Sequence, residues 1–271
     1  MCEFLSGIVT MERYPRVLCA DLRHHERTVE AFDLKPETYR EWEWVEDDDG
    51  ASLTVRAAPG ENPSVLKSAI LAKYPTRGDA LRTCVAQALE KSGSLYLRDC
   101  KLPDGLTLPE TIDGWLDLHG CVLPASLTLP KTVGGWLNLD GCMLPAGVTL
   151  PESIGGWLDL NNSVLPDGLT LPKLVGDSLD LRGCNLPASL TLPKTVGSSL
   201  YLCDCELPNG LTLPKLVGGS LDLRGCKLPA GLTLPESIGG SLDLRRCTLA
   251  EGLILDLSKY SAVRAARWRR V

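Results

Sequence analysis

Leucine recurs along this chain with a 21-residue period, nearly without gaps from about Gly93 to Leu255. One column holds Leu95, Leu116, Leu137, Leu158, Leu179, Leu200, Leu221 and Leu242. A second stands two residues later, from Leu97 to Leu244, and a third runs from Leu102 to Leu249. The other half of each period carries Leu-Thr-Leu-Pro or a close variant, as at Leu106–Pro109 and Leu232–Pro235, and then a Val or Ile such as Val133 or Ile238. Leucines two apart, with a polar residue between them, have the period of a half-buried strand. The proline after each Leu-Thr-Leu ends that strand and forbids a helix across the return segment. Glycine pairs such as Gly134-Gly135 suit a tight turn. Each period is therefore predicted to be a flat coil with two short strands and no helix. Eight such coils pair in parallel about 4.8 Å apart and build a ladder of roughly 35–40 Å. One coil cannot bury its leucines alone, so stability comes from stacking.

The segment "SLDLRGCKL", residues 220–228, resembles the leucine-rich repeat core L-x-L-x-x-(N/C)-x-L. "LPESIGGSLDL", residues 234–244, is similar to repeats of bacterial and phage leucine-rich repeat proteins. The resemblance extends over residues 93–255, more than half of the chain. It departs from the family in carrying Cys where Asn is usual, and in two prolines where a helix normally returns. A flatter solenoid, closer to a β-helix, is the expected consequence.

Residues 1–92 do not repeat and read as a small α+β domain. "EFLSGIV" and "RVLCADL" have strand character, and "HHERTVEAFDL" has that of a short helix. "EWEWVEDDDGASLTVRA" alternates around an Asp-Gly turn and predicts a hairpin. "NPSVLKSAILAKYP" and "RGDALRTCVAQALEK" have helical periodicity, with Asn62 or Ser64 and Asp79 as candidate caps. The last of these helices is expected to cover the first coil. Residues 256–271 read as a C-terminal capping helix, with Ser258 as its cap, over the last coil of the 93–255 solenoid.

Composition narrows the function classes. The formal charge of -6 and pI of about 5.2 argue against a nucleic-acid footprint over the whole chain. No run is apolar enough to span a bilayer, and the N-terminus, with Glu3 and a short apolar run, is a poor signal peptide. Seven of the eleven cysteines (Cys100, Cys121, Cys142, Cys184, Cys205, Cys226 and Cys247) share one position of the repeat, where Ser163 stands in coil 4. Their uniform spacing is set by the coil and not by zinc ligation, which needs close pairs. Small buried thiols are the expectation, with no metal and no cofactor. Reduced thiols place the protein in the cytoplasm, with delivery to a host cell as an effector left open. Cys203 points to the other face and is expected to be exposed.

No catalytic residue emerges. His24 and His25 lie beside Glu26 and Glu30 as on a solvated helix face, and no nucleophile motif or phosphate loop accompanies them. "EDDDG", residues 46–50, lacks the alternating ligands of a calcium loop and suits a hairpin turn. The basic tail with Arg264, Arg267, Trp268, Arg269 and Arg270 could touch phosphate, or simply suit a helix C-terminus.

The informative positions face outward from the first strand. The residue before the strand is Ser94, Trp115, Trp136, Trp157, Ser178, Ser199, Ser220 and Ser241. The middle residue is Tyr96, Asp117, Asn138, Asp159, Asp180, Tyr201, Asp222 and Asp243, and the next outward one is Arg98, His119, Asp140, Asn161, Arg182, Cys203, Arg224 and Arg245. Coils 2–4 thus present three indoles beside Asp117, Asn138, Asp159, His119, Asp140 and Asn161, where coils 5, 7 and 8 present Asp-x-Arg. Clustered Trp beside polar groups has the composition of an interface hot spot. Alternatively, the indoles shield the glycine-rich turns or pack on the N-terminal domain. The expected function is a non-enzymatic scaffold that binds another protein through this face. Two alternatives stay open: an acidic decoy of a nucleic-acid-binding protein, and an enzyme housed in residues 1–92.

Overall fold

The computed structural model describes residues 4–10, 17–18, 39–47, 50–56, 59, 62–99, 102–265 and 269–270. The sequence readings on His24, His25, the 24–34 helix, Cys100, Arg267 and Trp268 lie outside these residues. The N-terminal unit is an antiparallel sheet of β1 (Phe4–Thr10), β2 (Val17–Leu18), β3 (Tyr39–Asp47) and β4 (Gly50–Val55), in the order β2-β1-β3-β4. The expected hairpin closes with Asp47 opposite Gly50. Helices α1 (Pro63–Lys73) and α2 (Arg77–Ser92) follow. Asn62 caps α1 by accepting the Ser64 amide. Thr76, and not Asp79, caps α2. Asp79 sits three residues in and reaches back to the Thr76 amide, a reciprocal capping box.

From Leu95 onward the chain winds into a helix-poor solenoid of parallel strands. Each coil has four sides. The first carries the expected strand, and nine of these form one parallel sheet from Leu95–Tyr96 to Val263–Arg264. Register is kept residue for residue, as in Leu158 against Leu137 and Leu179. The second side follows the cysteine and pairs through single bridges such as Val122–Met143 and Met143–Val164. The third side is Leu-Thr-Leu, and the fourth is a second regular sheet of seven strands from Thr111–Ile112 to Ser237–Ile238. The second strand was expected in Leu-Thr-Leu. There the described pairing is limited to isolated bridges, Thr107–Thr128 and Thr170–Thr191. The segment is hemmed by the turn in which the Pro103 carbonyl accepts the Leu106 amide and by a proline with no amide to extend the ladder.

The leucine columns form the core. Leu95, Leu116, Leu137, Leu158, Leu179, Leu200, Leu221 and Leu242 are fully buried, and the core runs unbroken into Leu81, Cys84 and Val85 of α2. Helix α2 therefore covers coil 1, as expected. Among the described residues of 256–271 no helix forms. Val263 and Arg264 stand one full period after Leu242 and Asp243, and they pair with them as a further turn of the solenoid. Arg269–Arg270 likewise extends the second side beside Thr248–Leu249. Ser258 donates to Asp256 in a local turn, and the Tyr260 hydroxyl donates to the Pro235 carbonyl, tying the tail to coil 7. In-register pairing with the preceding coil satisfies the backbone that a helix would otherwise have to satisfy alone.

The cysteine column has a defined role. Cys142, Cys184, Cys205, Cys226 and Cys247 each donate to the carbonyl of the second leucine one coil earlier, Leu118, Leu160, Leu181, Leu202 and Leu223, at 2.9–3.0 Å. Cys121 makes the same bond to Leu97, and Ser163 makes it to Leu139. Burial pushes Cys142 and Cys205 up to about 12 and Cys184 and Cys247 up to about 11, so these groups stay protonated donors at neutral pH. Cys203 is also buried, 8% exposed between arginine-bearing coils, and not the exposed thiol expected from alternation.

Glycine sets the closeness of the stack at the corner before the first strand. A Cβ on Gly155, Gly176, Gly197, Gly218 or Gly239 would sit inside the carbonyl oxygen of the glycine one coil earlier. Gly176→Ala is expected to destabilise the fold by at least about 1–3 kcal/mol, the usual range for forcing atoms into a packed site. Urea unfolding against the exposed Thr191→Ala control measures it.

Candidate functional site

The outward columns of coils 2–4 divide into groups the fold uses and groups it does not. In the serine coils the column before the strand is structural. Ser178 Oγ accepts the Ser199 amide at 3.2 Å, and Ser199 and Ser220 accept the next amides at 3.0 Å. Ser94 accepts the amide of Trp115 at 3.1 Å. An indole has no acceptor to offer, so Trp115, Trp136 and Trp157 interrupt this ladder. Trp115 is 46% exposed, while Trp136 and Trp157 are partly buried. The rings of Trp115 and Trp136 stand 6.0 Å apart at 58°, and Tyr96 meets Trp115 edge-on at 6.2 Å. The Trp115 ring leans over Gly135 of the next coil. Trp157 Nε1 is buried and has no acceptor among the described residues.

The middle column corrects the expectation of an open polar face. Asp117 and Asn138 are buried, Asp159 is half-buried, and Asp180, Asp222 and Asp243 are buried too. Each turns one oxygen back to accept the amide two residues on, as Asp117 does from His119, Asn138 from Asp140 and Asp159 from Asn161, at 3.0–3.1 Å. The carboxylate or amide thus closes the corner after the strand as an Asx turn. Side chains stacked one strand spacing apart screen one another from water, which alternation within a single strand does not reveal.

His119, Asp140 and Asn161 remain partly exposed at the next corner. His119 Nδ1 lies 3.1 Å from Asp140 Oδ2, an ion-pair contact for a protonated ring but not an aligned hydrogen bond, and its Nε2 lies 3.9 Å from Asp99. The nine predicted residues therefore lie together on adjoining coils, but Asp117, Asn138 and one oxygen of Asp159 serve the backbone.

A further column belongs to the same surface. The residue after the cysteine position is Val122, Met143 and Val164 in coils 2–4, exposed by 54%, 68% and 57%. In coils 5–8 it is Asn185, Glu206, Lys227 and Thr248. This stripe lies on the second side, around the corner from the indoles, and the sequence reading missed it. Its signal was present in the repeat register, at a column adjoining the one read as buried thiols.

Charge changes at the same boundary. Residues 115–177 hold six Asp or Glu and two Lys, and those lysines engage Glu110 and Glu152. Residues 178–261 hold eight acidic and eight basic residues. There Arg182, Arg224 and Arg245 pair with Asp180, Asp222 and Asp243. Asp159 has Asn161 in place of the arginine, with Asp140 and Asp180 on the neighbouring coils. Burial first, and those two carboxylates second, push it up to about 6.

Elsewhere, a cleft of about 330 Å³ between α2 and coil 1 is lined by Arg82, Val85, Ala86, Leu89, Thr107 and Pro109. Its one ionisable group, Arg82, is paired with Asp79. Among the described residues no group of three or more His, Cys, Asp or Glu is placed to hold a metal ion, and no helix is long and apolar enough to cross a membrane. No family model, curated protein or solved structure matches the chain.

Asp159 yields a pH prediction. Its folded value lies above the ordinary 3.8, so as pH rises through 3.8 to about 6 the unfolded chain loses this proton first and stability falls. Asp159→Asn keeps the accepting oxygen, as Asn138 does. It is expected to exceed the parent by about 1–2 kcal/mol at pH 7.5, with the gain vanishing as pH falls below the ordinary carboxylate value. Denaturant unfolding across that pH range checks it.

Proposed function

We propose that coils 2–4 form a docking surface for another protein, and that the chain is a non-enzymatic binding scaffold. The observation that carries this reading is the coincidence of three changes at one boundary. The indole column, the Val122–Met143–Val164 column and the unbroken run without arginine in the outward column all begin at coil 2 and end at coil 4; beyond it only coil 6, with Cys203, lacks that arginine. None is required by the solenoid, since coils 5–8 keep the same core and register without them. Two apolar stripes flanking a polar strip have the composition of an interface core. The outward aspartates of coils 5, 7 and 8 are each neutralised in place by an arginine, and coil 6 carries Tyr201 in that column, so no continuous anionic stripe supports a nucleic-acid decoy. The finer assignment to bacterial or phage leucine-rich repeat proteins is part of this proposal and rests on the L-x-L-x-x-C-x-L core.

Two variants test it. The first changes Trp115, Trp136 and Trp157 to Ser, and the second changes Val122→Asn, Met143→Glu and Val164→Lys, the residues of coils 5–7. In affinity capture from a lysate of the source cells, both are expected to lose the partner held by the parent, by more than about 100-fold in Kd for the tryptophan triple. Undiminished capture by both would overturn the proposal.

A further inference from the structure

The repeat shows what is missing at the centre of this surface. In coils 5, 7 and 8 the aspartate of the middle column binds a guanidinium from two residues on. Arg182 Nε donates to both oxygens of Asp180 at 2.8–2.9 Å, and its Nη2 donates to Oδ2 at 2.5 Å. Arg224 on Asp222 and Arg245 on Asp243 repeat this geometry. In coil 2, Asp117 takes Arg98 from the coil before, at 3.2 Å. Coil 3 carries the uncharged Asn138 in this column. Coil 4 keeps the aspartate and its turn bond to the Asn161 amide, but the arginine position holds Asn161. Among the described residues Asp159 makes no ion pair. Its oxygens occupy the place that receives an arginine in four other coils, three times from two residues on and once from the coil before.

We propose that the docking partner supplies this guanidinium, from an arginine flanked by apolar residues. The arginine seats on Asp159 as Arg182 seats on Asp180. The flanking residues lie on the indoles to one side and on Met143 and Val164 to the other. This rests on coils 2–4 being a docking surface, and it names the chemistry that surface selects. Arginine fits better than lysine because its planar fork matches two carboxylate oxygens and lies flat on an aromatic ring. The chain already sets a guanidinium over an aromatic ring, with Arg182 Cζ 5.5 Å from the Tyr201 ring centre. The acidic excess of residues 115–177, whose two lysines are engaged, favours a cationic partner segment over an anionic one.

Selection from a random peptide library displayed on phage tests this, with the full chain as bait. Four baits are compared: the parent, Asp159→Asn, Asn161→Arg and the tryptophan-to-serine triple. Asn161→Arg recreates the Asp-x-Arg of coils 5, 7 and 8, so it should fold and fill the seat from within. The parent is expected to enrich peptides with an arginine between apolar residues. The best of these, made synthetically, should bind Asp159→Asn and Asn161→Arg about tenfold or more weakly, and should weaken when its arginine becomes lysine. Enrichment without arginine, or equal binding to the parent and to Asn161→Arg, would overturn the proposal while leaving the docking surface standing. Failure of the parent to enrich any peptide over the tryptophan triple would overturn both.

Discussion

Every feature of the solenoid depends on one backbone contact: coil laid on coil at a fixed period, with glycine against glycine at the corner before the first strand. The approach is so close there that a single methyl group would enter the carbonyl of the coil beneath. Such a stack tolerates no slippage. Once register is held, every position of the repeat becomes a column, and each column meets its own copies. Leucine columns then bury themselves, cysteines reach the carbonyl of the preceding coil, aspartates close the corners, and serines accept the next amide. The chain needs few long-range contacts of any other kind.

The same constraint explains which parts of the fold were legible in the sequence. The period, the inward leucines and the parallel first strand follow from spacing alone, because a gapless repeat permits only one register. The cysteine column was legible as buried for the same reason. The second strand was misplaced because alternation in Leu-Thr-Leu signals burial, whereas ladder pairing depends on amides that the neighbouring prolines remove. The tail was read as a helix from its composition. Its position one period after Leu242 decided otherwise, and pairing with a preformed edge outweighed local propensity. Asp117 and Asn138 were read as open because alternation describes one strand. Stacking hides side chains between coils, a property of the assembly that no single coil displays.

The surface of coils 2–4 stands out against this self-sufficiency. In coils 5, 7 and 8 the outward groups of the first strand have partners within the chain. Serine serves amides, aspartate serves corners and arginine serves aspartate. In coils 2–4 tryptophan gives up the serine bond, and Val122, Met143 and Val164 expose apolar area. Asp159 keeps a half-buried carboxylate whose ionisation burial disfavours. Departures from a local rule that bring the fold no visible gain are the sites where function is expected. Half of this surface was visible in the sequence as the tryptophan run. The other half, the Val-Met-Val stripe, needed the four-sided coil to show that it lies around the corner from the indoles.

The central claim is that the three tryptophans serve contact with a partner and not the fold. The most direct test is the unfolding free energy of the variant with Ser at positions 115, 136 and 157. Each new hydroxyl can accept the next amide, as Ser199 and Ser220 do, which offsets lost indole packing by about 1 kcal/mol per site. A single cooperative transition and a total loss of no more than about 1–2 kcal/mol are expected. A loss above about 5 kcal/mol, or a transition no longer cooperative, would contradict it and make the indoles part of the fold.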